Sequence, residues 1–321
     1  MKVAILGAGA MGCLVGSQLK KGGAEVYLID PYEQHMKNIT DFGLELNIRN
    51  HGKEIIHFDG ASISSANVGV CDVGVVLVKG LNTREIIETH RDVFGDCTFV
   101  FTFQNGIGNI DTLEEFFPKE RIGFGVLKCG ANMMEPGKIG GSIMDEGGQF
   151  KNLYFSSVIK SEKFAHILEE MKVTFNKAGF LVTISDKTEE LIWDKLYLNS
   201  IVNIPTAILG LSIQDAVRHP ILQELLKEIG REVCEVSTAK GFPMDSAEYW
   251  KTNIVPIQNM HKEIKSYSSA AQDAMKKRKT EVDFLNGAVI REGKKVGVAT
   301  PYNEAVWRMG KAMEDFYEIR F

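Results

Sequence analysis

Lys195, Asn199 and Asn203 recur every four residues in an otherwise apolar run, LIWDKLYLNSIVN (191–203). At about 100° per residue they drift by only about 80°, so all three share one helix face. Leu191, Ile192, Trp193, Leu196, Leu198, Ile201 and Val202 cover most of the remaining surface, the marking of a buried helix. Polar groups taken out of water must be paired or line a cavity. Two readings are open: an edge that reaches solvent, or a wall that handles a small polar molecule. On the second reading a lysine can donate to an oxygen on which charge grows and then deliver a proton. The two carboxamides can each offer a donor and an acceptor to hydroxyl groups. Pro205 follows closely; it cannot continue a regular helix and is expected to kink or end it.

A second constellation lies near the start. GAGAMG (Gly7, Ala8, Gly9, Ala10, Met11, Gly12) follows an apolar strand-like run, Val3–Leu6. It precedes CLVGSQLKKGG, which reads as a helix stopped at Gly22-Gly23. Val26–Ile29 reads as a second strand, closed by Asp30-Pro31. The pattern GxGxxG is weak alone, but inside strand–turn–helix–strand it is a dinucleotide-binding signature. Gly7 permits the tight turn, Gly9 lets a pyrophosphate approach the backbone, and Gly12 lets the helix pack on the strand. The helix N-terminus offers N–H groups and partial positive charge to the phosphates. Asp30 stands where an acid that binds the ribose 2′-hydroxyl is expected. It would repel a 2′-phosphate: at an effective dielectric of about 20, two unit charges about 4 Å apart interact by roughly 4 kcal/mol. NAD is therefore favoured over NADP.

Elements must hold these residues in place. Cys71–Gly80 reads as a strand with Lys79 at its carboxyl end, and Asn82–His90 as a helix. Phe99–Gly108 reads as a strand that ends in Gln104-Asn105-Gly106, followed by a helix through Leu113–Phe117. Ligands of open α/β sheets bind at the carboxyl ends of strands, which makes Lys79 and Asn105 candidates. A solvated strand end and a plain Asn-Gly turn are the alternatives. Residues 123–157 are Gly-rich with short β-like runs, and Asn132-Met133-Met134 within them reads as either core or loop. Phe164–Ala178 reads as a helix and Leu181–Ile184 as a strand. From Lys187 onward the pattern is helical, with long amphipathic helices over Ile221–Lys240 and Val282–Lys295. Alternating strands and helices followed by helices alone imply an α/β domain, 1–186, and an all-α domain, 187–321.

Composition narrows the class. With 321 residues, 44% hydrophobic and 25% charged, the chain has the composition of an ordinary globular protein. A net charge of −5 argues against a partner bound through a general basic field, nucleic acid above all. The basic run Lys276–Lys279 reads as a solvated helix end. Five scattered cysteines, without CxxC or framework spacing, suggest reduced thiols and a cytoplasmic location. No metal-ligand motif is present among the seven histidines. No segment offers the apolar length of a membrane span. The start could pass for a signal peptide, but its glycines sit where a turn motif wants them.

At this point the chain resembles the ketopantoate reductase (2-dehydropantoate 2-reductase) family. The resemblance runs from Gly7 to about Pro301 and rests on GAGAMG, VLVKG around Lys79, QNGIG around Asn105, IWDKLYLNSIVNIPTAI (192–208), SSAAQD (268–273) and KTEVDFLNG (279–287). It implies an N-terminal Rossmann-type doubly wound sheet, an all-α C-terminal domain, and an active site in the cleft between them. It also implies reduction of the ketone of 2-dehydropantoate to (R)-pantoate by NADPH or NADH, in pantothenate and coenzyme A biosynthesis. By resemblance Lys195 is the catalytic lysine, and Glu281 is the acid that works with lysine and substrate. Asn199, Asn203 and Ser269 fall on substrate-binding positions, Lys79 and Asn105 near nicotinamide and substrate. Ala131, in CGAN, matches loosely a residue that presents backbone to the cofactor. Taken alone, Glu281 reads as a surface acid beside the basic run.

The sequence departs from the family in one place. NADPH-using members carry a basic residue where this chain reads Ile29-Asp30-Pro31-Tyr32. The departure raises an alternative, an NAD-dependent D-2-hydroxyacid dehydrogenase acting on branched or aromatic 2-keto acids. A non-catalytic dinucleotide sensor is a further alternative, opposed by the complete set Lys195, Asn199, Asn203, Ser269 and Glu281. The long amphipathic helices lead us to expect a homodimer.

Overall fold

The computed structural model describes residues 1–143 and 151–319. The chain forms two compact units: Met1–Gln104 with Asn109–Thr188, and Asn105–Gly108 with Glu189–Phe321.

The first unit opens with strand β1 (Lys2–Leu6), helix α1 (Ala10–Lys21), β2 (Glu25–Ile29) and α2 (Glu33–Phe42). There follow β3 (Leu44–Ile48), β4 (Gly52–Ile56), β5 (Gly60–Ser62), β6 (Val73–Val76), α3 (Thr83–Thr89), β7 (Phe99–Thr102) and α4 (Asn109–Glu114). It ends with β8 (Ile122–Leu127), β9 (Gly130–Glu135), β10 (Lys138–Ser142), β11 (Leu153–Ser157), α5 (Glu162–Lys177) and β12 (Val182–Ile184). Eight strands form one sheet in the order β12-β11-β8-β7-β6-β1-β2-β5, parallel except where β11 meets β8. The chain leaves β1 toward β2 on one side and resumes at β6 on the other. That reversal puts a switch point, the usual ligand crevice of such sheets, at the ends of β1 and β6. The central strands are apolar on both faces because both are covered: Val3, Ile5, Val73, Val75 and Phe101 on one face, and Ala4, Leu6, Val76 and Val100 on the other, are fully buried.

The start of the chain is thus a central strand. The stretch between Pro31 and Cys71, for which the sequence suggested no element, contributes α2 and three strands. Of these, β3 and β4 join a second sheet of order β4-β3-β10-β9. The Gly-rich stretch 123–157 divides between the two sheets, with 144–150 outside the described residues. The strand expected over 71–80 stops at Val76, and that over 99–108 stops at Thr102. The helix expected through Leu113–Phe117 begins earlier, at Asn109. Its apolar end continues as turns that bury Leu113 and Phe117.

The second unit is helical throughout its described residues outside loops. It contains α6 (Thr188–Leu209), α7 (Ile213–Arg218), α8 (Pro220–Ala239), α9 (Ser246–Tyr249), α10 (Val255–Gln258), α11 (Ser269–Met275), α12 (Asn286–Val296) and α13 (Pro301–Asp315). Its core gathers Trp193, Leu196, Tyr197 and Ile201 of α6 with Ile229 and Val233 of α8, Val289 of α12 and Val306 of α13. Of the two outcomes expected at Pro205, a kink or an end, the second does not occur: helix α6 runs through it to Leu209. The hydroxyl of Thr206 lies 2.6 Å from the Val202 carbonyl and 3.1 Å from that of Asn203. The proline ring supplies no N–H, which leaves the Ile201 carbonyl, one turn earlier, without its intrahelical donor; the Thr206 hydroxyl bonds back onto the carbonyls that follow and does not replace it. Helix α12 starts at Asn286 and not Val282, because residues 281–285 form tight turns closed by Phe284 and Leu285 N–H on the Glu281 carbonyl.

Candidate active site

The glycine turn sits at the switch point. Gly7 has φ +98°, and a Cβ there would lie 2.5 Å from the Val78 nitrogen, in the chain that leaves β6. A Cβ on Gly12 would lie 2.1 Å from the Gly7 carbonyl oxygen, so the third glycine serves the turn itself as well as strand packing. Gly9 differs: no atom lies within 4 Å of a Cβ placed on it. It precedes Ala10 as the N-cap of α1, and the first intrahelical bond is Cys13 N–H to the Gly9 carbonyl. The N–H groups of Ala10, Met11 and Gly12 therefore have no acceptor within their own helix. An open cradle before a helix N-terminus suits a pyrophosphate.

The turn is held from below. Gly7 and Ala8 N–H both donate to the Ile29 carbonyl, at 2.9 and 3.2 Å. The Ala8 carbonyl accepts from the Cys13 thiol and from His35 Nε2, both at 3.1 Å. His35 Nδ1 accepts the Gly137 N–H at 2.8 Å. That bond leaves the proton on Nε2 and fixes a neutral tautomer. Burial pushes the imidazole pKa down, with Asp30 and the Ala8 carbonyl opposing. Burial also pushes the Cys13 thiol well up, so it stays a thiol. Asp30 is half-buried just after β2; one carboxylate oxygen accepts Tyr32 N–H at 2.9 Å. Burial raises its pKa, opposed by that N–H and by His35.

Lys79 lies past the end of β6 and caps a single 3-10 turn, its carbonyl accepting Asn82 N–H at 2.8 Å. Gln104, which has no separate role in the sequence reading, fastens this end of the sheet. Its amide donates to the Val78 carbonyl at 2.7 Å and to Thr83 Oγ1 at 2.8 Å. Ala131 sits in β9, an edge strand, opposite Gly141. Farther along β9 the two methionines part: Met133 packs on the core and Met134 is exposed.

In the helical unit the polar stripe lies along α6 and becomes more buried along its length. Lys195 and Asn199 are half-buried; Asn203 is 6% exposed. Asn203 Nδ2 reaches Ser269 Oγ at 3.4 Å. Next to that pair, Thr206 Oγ1 meets Ser268 Oγ at 2.8 Å, and Ser268 caps α11 through Ala271 N–H. The two serines of SSAAQD divide the work: Ser268 ties α11 to α6, and Ser269 faces the stripe. Glu281 is buried, 5% exposed, which corrects the surface reading that its neighbours suggested. Thr280 before it is held by Glu314, which accepts from Thr280 N–H at 2.7 Å and from its hydroxyl at 2.6 Å. Asn105 groups with this unit too, through Ile107 N–H on the Phe284 carbonyl at 3.0 Å.

A buried polar chain behind α6 is not legible in the sequence. Asn286 Nδ2 donates to the Ser200 carbonyl at 3.2 Å and to Asn303 Oδ1 at 2.9 Å. Glu232, fully buried, accepts Tyr302 N–H, Asn303 N–H and Asn303 Nδ2. It thereby places a carboxylate at the N-terminus of α13, where the helix field favours it. Nothing local in the sequence separates these residues from surface polar ones.

All five cysteines are free; burial lifts Cys71 to about 11 and Cys234 to about 12. Among the described residues no group of His, Cys, Asp or Glu is disposed to hold a metal, and no helix is long and apolar enough to cross a membrane.

Comparison with known proteins assigns the chain to a family. Residues 3–148 match the family model of ketopantoate reductase PanE/ApbA, and 187–314 match that of its C-terminal domain. A 2-dehydropantoate 2-reductase of Pyrococcus horikoshii is 30% identical, with 98% of each chain covered. One from Lactococcus lactis is 28% identical, with both chains fully covered. Among solved structures, D-mandelate dehydrogenase with NADH and anilino(oxo)acetate superposes with a TM-score of 0.86 at 27% identity, covering 99% of this chain and 100% of the other. A PanE/ApbA family ketopantoate reductase from Ralstonia eutropha gives a TM-score of 0.81 at 27% identity, with the same coverage. The chain therefore belongs to the ketopantoate reductase family and is a nicotinamide-dinucleotide-dependent oxidoreductase acting on a keto or hydroxyl group.

Proposed function

We propose that the protein reduces the 2-keto group of 2-dehydropantoate to (R)-pantoate, with NADH preferred over NADPH. The observation that carries the reading is the Lys195–Asn199–Asn203 face of α6, with Asn203 on Ser269, in a chain similar over its full length to 2-dehydropantoate 2-reductases. The bound dinucleotide supplies the hydride. Gly7 to Gly12 take its pyrophosphate, Asp30 its ribose 2′-hydroxyl, while Lys79, Asn105 and the Ala131 backbone line the nicotinamide end. Lys195 donates to the ketone oxygen as negative charge grows and passes it a proton. Asn199 and Asn203 hold hydroxyl groups, Ser269 hydrogen-bonds the substrate carboxylate, and Glu281 holds lysine and substrate in register. Asp30 supports NADH, since a carboxylate there disfavours a 2′-phosphate.

A second reading has its own support. The likeness to D-mandelate dehydrogenase with NADH, together with Asp30, favours a D-2-hydroxyacid dehydrogenase of the same scaffold. Initial rates of NADH and NADPH oxidation with 2-dehydropantoate, 2-ketoisovalerate and phenylglyoxylate separate the two. Preference for 2-dehydropantoate sustains the proposal; preference for either other acid replaces it. Lys195→Ala should lower the rate about 10²- to 10⁴-fold, the usual worth of a general acid. A variant at wild-type rate refutes the role given to Lys195.

A further inference from the structure

Asn105 and Glu281 are far apart in sequence, yet the backbone next to each meets in one small knot. Ile107 N–H donates to the Phe284 carbonyl at 3.0 Å, and Phe284 N–H donates to the Glu281 carbonyl at 2.9 Å. Gly106, at φ +83°, lies so close that a Cβ there would be 2.0 Å from the Phe284 oxygen. From α12, Arg291 reaches over both strands of the knot. Its Nη1 donates to the Asp283 carbonyl at 2.6 Å, and its Nη2 to the Ile107 carbonyl at 3.0 Å. Asp283 is itself fixed, its carboxylate accepting Trp307 Nε1 at 2.7 Å and Lys311 Nζ at 3.0 Å.

We infer that Arg291 is a positioning residue: its guanidinium fork locks the Asn105–Gly108 segment to the Asp283–Phe284 turn and so holds Asn105 in fixed register with Glu281. The inference rests on the roles proposed above for Asn105 and Glu281. A planar fork holds two carbonyls at once in a pre-organised geometry, whereas an ammonium on a flexible stem, though it has three donors, fixes their separation less rigidly. Arg291 is exposed, and both carbonyls would be open to water without it, so its removal should loosen the segment and leave the fold intact.

Arg291→Ala and Arg291→Lys, in the full-length protein, test this. Hydrogen exchange by mass spectrometry over 105–108 and 280–285 should speed up in both variants, while the urea midpoint followed by tryptophan fluorescence stays put. With NADH and the keto acid that the wild type reduces fastest, kcat should fall about 10- to 100-fold in the alanine variant, the scale of a misplacement of about 1 Å. The NADH dissociation constant, from fluorescence titration, should move by less than about threefold, since its phosphates are held by Gly7–Gly12. Unchanged exchange overturns the clamp. Faster exchange with unchanged kcat overturns the positioning role. If the wild type reduces no keto acid, the proposed function fails and exchange alone decides: a rise sustains the clamp and no rise overturns it.

Discussion

Replacing Glu232 by glutamine probes the buried chain that ends on α6. The carboxylate accepts Tyr302 N–H at 2.9 Å on one oxygen, and Asn303 N–H at 2.9 Å and Asn303 Nδ2 at 2.8 Å on the other. Glutamine keeps the shape but has one acceptor oxygen. If that oxygen serves Asn303, the amide NH₂ faces the Tyr302 N–H, donor against donor. One charge-assisted hydrogen bond is lost, about 1.5–3 kcal/mol. The favourable interaction of a buried charge with the α13 N-terminus goes with it, up to about 2 kcal/mol. A neutral amide is cheaper to bury than a carboxylate, and that offsets part of the loss. The net expectation is about 2 kcal/mol of destabilisation, or a urea midpoint lower by about 1 M for an m-value near 2 kcal/mol/M. All three tryptophans, Trp193, Trp250 and Trp307, belong to the helical unit, so their fluorescence follows the unit in question. A midpoint within about 0.2 M of wild type would refute the reasoning.

Two further expectations concern the glycine turn. Gly9→Ala should leave the melting temperature within about 1 °C, since its Cβ meets open space, yet weaken NADH binding at least about tenfold if a phosphate sits there; Gly7→Ala should lower stability by about 1–2 kcal/mol or more from the left-handed backbone alone. Calorimetry with fluorescence titration checks both, and tight binding by Gly9→Ala removes the phosphate assignment. The buried His35 sets a pH dependence. Its native pKa is lowered, so the unfolded chain takes up a proton that the native chain resists; the stability it contributes is complete above about pH 6.5 and is lost as pH falls toward the native value. His90, also lowered by burial, acts with the same sign. The protection factor of the Gly137 amide should therefore drop as pH falls below about 6.5, and a flat profile would show that His35 Nδ1 does not hold that N–H.

Periodicity makes much of this molecule legible. The apolar strand runs, the glycine turn and the four-residue spacing along α6 depend on neighbours in sequence, and each is found where the pattern puts it. Strand ends read too long because Leu77–Gly80 and Phe103–Gln104 are apolar or polar in the same manner as a strand. What ends the strands is loss of partners on both sides, which is a tertiary fact. The second sheet escapes a reading built on longer runs, although Leu44, Leu46 and Ile48 alternate with Glu45 and Asn47, a usable period-two signal. Its strand β3 pairs with β10, far along the chain, and no local pattern names that partner. Glu281 illustrates the limit on sites. It follows a basic run in sequence, and its burial, beside the tight turns of 281–285, appears only in the folded unit. Glu232, Asn286 and Asn303 matter through one another and lie on three separate helices.

The membership of Asn105–Gly108 in the helical unit also bears on modularity. A fragment cut after Thr188 would contain every strand of the sheet but would leave this segment without the Phe284 carbonyl and the Arg291 fork. A fragment that begins at Glu189 would lack the segment altogether. Exchange of the C-terminal half between homologues therefore carries a hidden requirement: the four residues that follow Gln104 have to travel with the incoming half. Chimeras joined at the obvious boundary are expected to need that second, internal graft before they regain native behaviour.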